Sequence, residues 1–258
     1  MQRKIWLTVW GLFFLFRLGY GLANVPLVDE FSFLVFGDNQ NGDKIFDHLL
    51  KQMATEPKIA FAISVGDSVD YSTETEYLAY CQKVKRLEFK VLQAPGNHDL
   101  ANKGAKYFQK YIGSLYNSFD YKNCHFVVLN NAFKDSFDKK QFTWLEQDLA
   151  ANKQKIIFIF MHRPTFDPTE LYGDYVMSGR QVTTEMQKLF ARYHVAYVFS
   201  GHIHGYARAK RDGVVYIITG GAGGTLHLPP GFGGWYHYVR ITVKGEKVTD
   251  EMVPLKGY

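Results

Sequence analysis

The chain has 258 residues, of which 47% are hydrophobic and 16% aromatic. A chain of this size can bury one substantial core and is short for two, so we expect one folded domain. Its 30 Lys and Arg residues exceed its 25 acidic residues only slightly. Nucleic-acid-binding proteins usually carry a basic patch, and the basic runs here, such as residues 208–211, are short, so nucleic acid is not an expected partner.

The N-terminus has the pattern of a secretory signal peptide. Arg3 and Lys4 precede an apolar stretch from Ile5 to Phe16, and small residues follow as far as Ala23. The apolar stretch is shorter than the roughly 18 residues that a membrane-spanning helix needs. We therefore expect residues 1–23 to be a signal peptide, residues 24–258 to be the domain, and the protein to be secreted or periplasmic. An uncleaved membrane anchor and a buried N-terminal helix are the alternatives.

The two cysteines, Cys81 and Cys124, limit the part that disulfides can play. Two thiols cannot form a disulfide framework, so the fold must be stabilised mainly by its core. One bridge between them and two separate small buried side chains are both compatible with the sequence.

From Phe31 onward, apolar runs of strand length alternate with helical patterns. The predicted strands are residues 31–36, 59–65, 90–94, 156–161 and 195–199, and the predicted helices are residues 73–86 and 139–150. This alternation favours parallel strands joined by helices. Shorter runs predict antiparallel hairpins at residues 118–121, 125–130, 206–209, 214–219 and 236–243. We therefore expect an α/β fold of two packed mixed β-sheets flanked by helices.

Polar side chains follow each of the five predicted strands. They are Asp38 and Gln40, Asp67 and Asp70, Asn97 to Asp99, His162 and Arg163, and His202 and His204. Open α/β sheets bind ligands beyond the carboxyl ends of their strands, so we expect these side chains to surround one crevice. Carboxylate, amide and imidazole groups without thiolates suit Mn, Fe or Zn. Two aspartates and three histidines exceed the needs of one tetrahedral ion and favour two ions that share a ligand.

These ordered motifs resemble those of the calcineurin-like metallophosphoesterases over nearly the whole chain after the leader. That family carries Asp-x-His, Gly-Asp-x-x-Asp, Gly-Asn-His-Asp or Glu, a single His after a strand, and Gly-His-x-His. The corresponding segments here are residues 38–40, 66–70, 96–99, 162 and 201–204. The resemblance implies a four-layer metallophosphatase-like sandwich. It also implies a first metal held by Asp38, Gln40, Asp67 and His204, and a second held by Asp67, Asn97, His162 and His202.

Two residues distinguish this chain within the family pattern. Gln40 stands where the usual motif has His, and a neutral amide oxygen is a weaker metal ligand than imidazole. We therefore expect the first metal to be held less firmly, or to be a harder ion, than in a typical member. Tyr71 stands where the protein serine/threonine phosphatase branch has Arg, which disfavours that branch.

The resemblance and the site charges together predict hydrolysis of a small-molecule phosphomonoester or phosphodiester, with attack by a hydroxide that bridges two metal ions. His98 is the candidate to protonate the leaving group and Asp99 to orient it. Asp70 would fix the direction of a metal ligand, and Arg163 would hold a phosphate oxygen. The alternatives are a catalytically weak exported protein that binds metal or phosphate, which Gln40 favours, and a membrane-tethered interaction domain.

Three other features have a less specific interpretation. The remaining histidines, which include His227, are expected to be structural. The glycine-rich stretch at residues 220–224 lacks the Lys and following helix of a nucleotide-binding loop, and we expect it to be a flexible rim of the crevice. The segment from Thr165 to Gly179 is either a substrate-shaping loop or an ordinary surface connection.

The leader interpretation predicts the N-terminus of the mature protein. If the host signal peptidase cleaves after the small residue Ala23, the exported protein begins at Asn24. Mass spectrometry of the intact secreted protein measures this directly. A mature chain that retains residues 1–23 would contradict the prediction and would favour the membrane-anchored alternative.

Overall fold

The computed structural model describes residues 30–133, 136–177 and 179–258. Its strands are β1 Glu30–Phe36, β2 Ile59–Ser64, β3 Lys90–Gln93, β4 Asn117–Tyr121, β5 Cys124–Val128, β6 Ile156–Phe160, β7 Tyr197–Ser200, β8 Tyr206–Arg211, β9 Val214–Thr219, β10 His237–Lys244 and β11 Lys247–Pro254. Its α-helices are α1 Asp43–Met53, α2 Glu74–Val84, α3 Asn97–Leu100, α4 Ala105–Tyr111, α5 Lys139–Asn152 and α6 Arg180–Arg192. Short 3₁₀ turns span Ala101–Lys103 and Gly173–Tyr175.

The strands form two mixed sheets, as the sequence predicts. The first sheet has the order β11-β10-β1-β2-β3, and the second has the order β4-β5-β6-β7-β9-β8. In the first sheet β1, β2 and β3 are parallel, and in the second β5, β6, β7 and β9 are parallel. Parallel neighbours end at the same edge of a sheet, so the loops after these strands can meet.

The two sheets pack face to face through aromatic side chains. Phe33 of β1 is completely buried, and its ring lies edge-on to Phe126 at 5.3 Å and to Phe158 at 5.2 Å. Aromatic rings bury large apolar areas, and edge-to-face pairs add about 0.5–1.5 kcal/mol each. This core fixes the two sheets relative to each other.

Helices cover the outer face of each sheet and complete a four-layer sandwich. Helix α1 buries Phe46, Leu49 and Leu50 with the outer face of the first sheet. Helices α5 and α6 lie on the second sheet in the same way, with Leu145 and Met186 among their buried residues. The sequence analysis did not predict α1 or α6, although both carry apolar residues at helical spacing.

Strand β10 pairs with different strands from those that its predicted hairpin suggested. Strand β10 follows β8 and β9 of the second sheet along the chain, but it lies in the first sheet, where it pairs antiparallel with β1. Its hairpin partner is β11, a strand that was not predicted. Strand β11 is polar and half exposed, so its alternating pattern is weak in apolar residues. The predicted hairpins β4-β5 and β8-β9 are present.

The structure shows the state of the two cysteines. Cys81 is partly buried, Cys124 is buried, and neither forms a disulfide. The predicted signal peptide, residues 1–23, lies outside the described residues and stays a prediction. Across residues 30–258, apart from the two short gaps, none of the helices combines the length and apolar character that crossing a bilayer would require.

Candidate metal centre

Loops that follow strands of both sheets meet at one point. Asp38 follows β1, Asp67 follows β2, and Asn97 begins α3 after β3. From the second sheet, His162 follows β6, and His202 and His204 follow β7. Apart from the partly buried Asn97 and His202, these side chains are buried, so the site lies at the bottom of a crevice between the carboxyl ends of the two sheets.

One group of donor atoms surrounds the Nε2 atom of His162. This atom lies 3.1 Å from Asn97 Oδ1, 3.1 Å from His202 Nδ1 and 3.2 Å from Asp67 Oδ2. Metal–ligand bonds of about 2.0–2.2 Å at tetrahedral to octahedral angles place two donor atoms roughly 2.8–3.6 Å apart. Oxygen and nitrogen atoms of Asp67, His162 and His202 also lie within 4.8 Å of one another. This group has the spacing of ligands to one ion.

A second group surrounds the Nε2 atom of His204. This atom lies 3.1 Å from Gln40 Nε2 and 3.5 Å from Asp38 Oδ1. Gln40 Nε2 in turn lies 3.4 Å from Asp67 Oδ2. Asp67 Oδ2 therefore faces both groups, which is the position of an oxygen that bridges two ions.

The amide of Gln40 has an orphaned atom. Its Oε1 is buried and makes no hydrogen bond with any described residue, which is costly for a buried acceptor. A half-turn of the amide exchanges Oε1 with Nε2 and brings the oxygen to the place beside His204 and Asp67. Gln40 therefore fits a metal ligand, in the position that the sequence predicts for it.

Backbone carbonyls fix the orientation of two histidines. His162 Nδ1 donates to the carbonyl of Val65 at 3.0 Å, and His204 Nδ1 donates to the carbonyl of Thr225 at 2.7 Å. With the proton on Nδ1, each neutral ring presents the lone pair of Nε2 to the centre. Such outer hydrogen bonds set the tautomer of metal-binding histidines.

Three of the predicted ligands have an unusual backbone conformation. Asp38, Asp67 and His202 have φ angles of 62°, 55° and 65°. The left-handed region is uncommon for residues other than Gly, and such strain concentrates at functional sites. All three residues lie within three positions of the end of a strand, where the chain turns into a loop of the centre.

The glycine-rich stretch at residues 220–224 is buried and packs against the ligands, so the expectation of a flexible rim is wrong. The amide of Gly224 donates to the carbonyl of Asp38 at 2.8 Å. A Cβ atom on Gly224 would lie 2.8 Å from the His204 ring, and one on Gly220 would lie 2.5 Å from the carbonyl of Ile203. Glycine is required because no side chain fits there.

The charges of the centre favour a bound cation. Asp38, Asp67 and Asp99 are all buried within it. Burial raises the pKa of Asp38 well above its usual range, and the Asp67 charge adds to this effect against the opposing charge of His162. Burial and the Asp67 charge likewise raise the pKa of Asp99 to about 7. Clustered buried carboxylates are stabilised by positive charge, so the donor set fits one or more divalent ions.

The histidines respond to burial and to their neighbours in opposite ways. Burial lowers the pKa of His162, but the carboxylate of Asp67 outweighs it and raises the value to about 9. Burial and the His162 charge lower the pKa of His202 to about 2. A cation binds only neutral imidazole, so metal binding at His162 must displace a proton.

The residues predicted to support the chemistry have different partners from those expected. His98 Nδ1 donates to the backbone carbonyl of Asp70 at 2.8 Å. The Asp99 carboxylate instead accepts from the backbone amides of Asp67, Ser68 and Gly96 at 2.8–2.9 Å. Asp99 therefore ties two ligand loops together and does not orient His98, because its oxygens are committed to these amides.

Asp70 and Arg163 lie beside the centre. The Asp70 carboxylate accepts from the amide of Asn41 at 2.5 Å, and so anchors the loop that carries Gln40 without bonding a ligand side chain. The half-buried Arg163 donates through Nε to the carbonyl of Ala132 at 2.9 Å. Its terminal nitrogens make no hydrogen bond with a described residue and remain available to an anion.

His227 lies beside the site, although it was expected to be only a structural histidine. Its ring stacks on His204, with centroids 4.0 Å apart and planes 6° apart. Its Nδ1 accepts from the backbone amide of His204 at 3.1 Å. Nothing in the local sequence distinguishes His227 from a structural histidine, because this contact joins loops that are 23 residues apart.

Comparison with known proteins agrees with this geometry. Residues 31–206, more than half of the chain, match the family model described as calcineurin-like phosphoesterase. The chain belongs to this family. The five motif segments of the calcineurin-like phosphoesterase pattern all lie within the matched residues.

Individual relatives include phosphatases and a phosphodiesterase. Purple acid phosphatase 22 of Arabidopsis thaliana is 32% identical over 124 residues, which are 47% of this chain and 27% of the relative. A 3′,5′-cyclic-nucleotide phosphodiesterase of Nostoc sp. is 27% identical over 169 residues, 62% of each chain. The chain thus spans about a quarter of the length of the purple acid phosphatases that it matches.

Solved structures share the fold. The purple acid phosphatase PPD1 of yellow lupin superposes with a TM-score of 0.72 at 13% identity, over 89% of this chain and 52% of that one. A dimetal phosphatase of Danio rerio superposes with a TM-score of 0.65 at 14% identity, over 88% of this chain and 99% of that one. These similarities confirm the four-layer sandwich.

The raised pKa of His162 predicts that metal affinity depends on pH. Below a pH of about 9 the ring is protonated without metal, so Mn²⁺ must displace a proton and its affinity should rise by up to about tenfold per pH unit. Calorimetric titration with Mn²⁺ at pH 6, 7 and 8, in two buffers of different ionisation enthalpy, measures both the affinity and the released protons. Constant affinity with no proton release would contradict this prediction.

Proposed function

We propose that this protein hydrolyses phosphate esters, with two divalent metal ions held by the seven side chains that meet at the strand ends. The single observation that carries the proposal is the position of Asp67 Oδ2, 3.2 Å from His162 Nε2 and 3.4 Å from Gln40 Nε2. One carboxylate oxygen between two sets of donors is the arrangement expected of a bridged pair of ions.

When bound, the proposed ions would supply the positive charge that a phosphoryl group requires and would lower the pKa of bound water. Manganese, iron and zinc all suit the mixture of carboxylate, amide and imidazole donors. One curated relative is named an Fe(3+)-Zn(2+) purple acid phosphatase, which supports metals of this kind. The neutral Gln40 makes the first position the weaker one.

The protein's own residues would then bind the substrate and move the proton. Arg163 lies half-buried beside the ligand His162, with its guanidinium anchored through Nε, and would hold a phosphate oxygen. His98 Nδ1 is committed to the carbonyl of Asp70, which leaves Nε2 to donate a proton to the departing oxygen. Asp99 keeps the loops of Asp67 and Gly96 at a fixed separation.

The relatives support both monoester and diester substrates. Several are named purple acid phosphatases, and another is named a 3′,5′-cyclic-nucleotide phosphodiesterase. We propose a small-molecule phosphate ester as the substrate. We also propose a secreted or periplasmic location, which rests on the leader pattern alone.

The second candidate function is that of a catalytically weak protein that binds metal or phosphate, which Gln40 favours. Manganese-loaded protein that holds metal but turns over neither ester would identify it.

The proposed bridging role of Asp67 predicts the effect of removing its charge. Asp67→Asn should lower metal content and reduce hydrolysis of p-nitrophenyl phosphate and bis(p-nitrophenyl) phosphate by more than about a hundredfold, because the neutral amide bridges two cations poorly. Asp212→Asn is the matched control, since Asp212 is exposed and has a similar φ of 50° against 55° at Asp67. Equal turnover in the two variants would refute the proposal.

The proposed role of His98 predicts a separate effect on rate. His98→Ala should lower kcat for p-nitrophenyl phosphate and more strongly for an alkyl phosphate, whose poorer leaving group needs a proton, by about 10²–10⁴-fold in the latter case. Metal content, measured by atomic emission, should stay that of the wild type. If kcat falls by the same factor for both esters, or falls for neither, His98 does not protonate the leaving group.

A further inference from the structure

An aromatic side chain lies at the edge of the metal centre without a role in holding it. Tyr175 has its ring centroid 5.4 Å from that of the predicted ligand His202 and 5.1 Å from that of His227. It remains 38% exposed, although it contacts two partly buried rings. Part of Tyr175 is therefore open to solvent beside His202, a ligand predicted for the second metal.

The segment around Tyr175 is held to the site by directed contacts. Tyr172 donates its hydroxyl to the carbonyl of His227 at 2.6 Å, and its amide donates to the Asp167 carboxylate at 2.7 Å. The Tyr175 amide donates to the carbonyl of Tyr172 at 2.9 Å, and the two rings lie edge-on at 5.6 Å. An exposed ring fixed in this way can bind a flat partner with little further loss of conformational freedom.

The rings form one continuous wall beside both proposed metal positions. Tyr175 contacts His202, a ligand predicted for the second metal, and also contacts His227. His227 stacks on His204, a ligand predicted for the first. The organic group of a phosphate ester held at the proposed metal centre would therefore lie beside this wall.

We infer that Tyr175 determines substrate specificity by stacking on an aromatic or heteroaromatic group near the ester bond, so that aryl and nucleoside phosphates are preferred over alkyl phosphates. This inference rests on the proposed function, because it assumes that a phosphate binds at the metal centre. Arg163 and the metals would hold the phosphate, and Tyr175 would contact only the organic group. The aromatic wall thus adds selectivity that the metal ligands cannot supply.

A purely structural role for Tyr175 makes a different prediction. If the ring serves only to hold His202 in place, its removal should lower the affinity for metal. It should also lower the affinities for all phosphate ligands by the same factor. If the ring stacks on the substrate, its removal should change the ratio of affinities for aromatic and aliphatic ligands. The ratio is therefore the decisive quantity.

The experiment uses two phosphonates that cannot be hydrolysed at the ester position. Benzylphosphonate and ethylphosphonate are titrated calorimetrically into the manganese-loaded protein, and Mn²⁺ affinity is measured separately. In the wild type, benzylphosphonate should bind about tenfold more tightly than ethylphosphonate, a typical effect of one ring stacked on an aromatic side chain. Tyr175→Ala should abolish this ratio, and Tyr175→Phe should retain it.

Tyr258→Ala is a closely matched control. Tyr258 is also an exposed tyrosine whose ring lies 5.4 Å from a histidine ring, but that histidine is His48, outside the metal centre. This variant should keep the wild-type ratio. An unchanged ratio in Tyr175→Ala would overturn the inference, as would equal weakening of both phosphonates together with loss of Mn²⁺ affinity.

Turnover measured in parallel separates this inference from the proposed function. If the wild type binds benzylphosphonate in preference and the ratio depends on Tyr175, but p-nitrophenyl phosphate is not hydrolysed, the hydrolase proposal fails and the aromatic subsite stands. If the ester is hydrolysed and the ratio does not depend on Tyr175, the subsite fails alone.

Discussion

The structure depends on the burial of carboxylates at the point where the two sheets meet. Asp38 and Asp67 leave their strands in left-handed conformations, and Asp99 connects the loop of Asp67 to that of Gly96. Burying such charges together is unfavourable unless positive charge accompanies them. His162 supplies part of that charge in the protein alone, and its neutral form is a metal ligand. The charge of His162 therefore offsets only part of the cost of burying these carboxylates, and cation binding would offset more.

The rest of the fold holds these loops in position. The aromatic core between the sheets, centred on Phe33, fixes the two sets of strand ends relative to each other. Glycines at positions 220 and 224 allow backbone to approach Asp38 and His204 at distances that exclude any side chain. Carbonyls of Val65 and Thr225 orient two imidazoles. The centre is therefore preorganised by packing and hydrogen bonds, which lowers the cost of binding an ion or a phosphate.

The surroundings of the centre divide into a positioning side and a recognition side. Asp70 and Asp99 accept hydrogen bonds from backbone amides and hold the loops in position. Arg163 and His98 each use one nitrogen to bind a backbone carbonyl, and their other nitrogens can bind a ligand. Tyr175 adds an aromatic surface beside His202. In the proposed function, the metals and Arg163 recognise the phosphate that every substrate shares, and Tyr175 distinguishes among the groups attached to it.

The sequence by itself determined which strands end in polar residues and in what order the motifs follow one another. It also determined that Gln40 stands where the family pattern has His. Strand periodicity and turn residues are local properties, so these parts of the site could be predicted from the order of residues. The tertiary structure decided which amides Asp99 binds, which sheet receives β10, and the positions of His227 and Tyr175 beside the metal ligands. These contacts join segments far apart in the chain, such as Tyr172 and His227, 55 residues apart. Local pattern carries no information about such neighbours, because only the packing of two sheets brings their loops together.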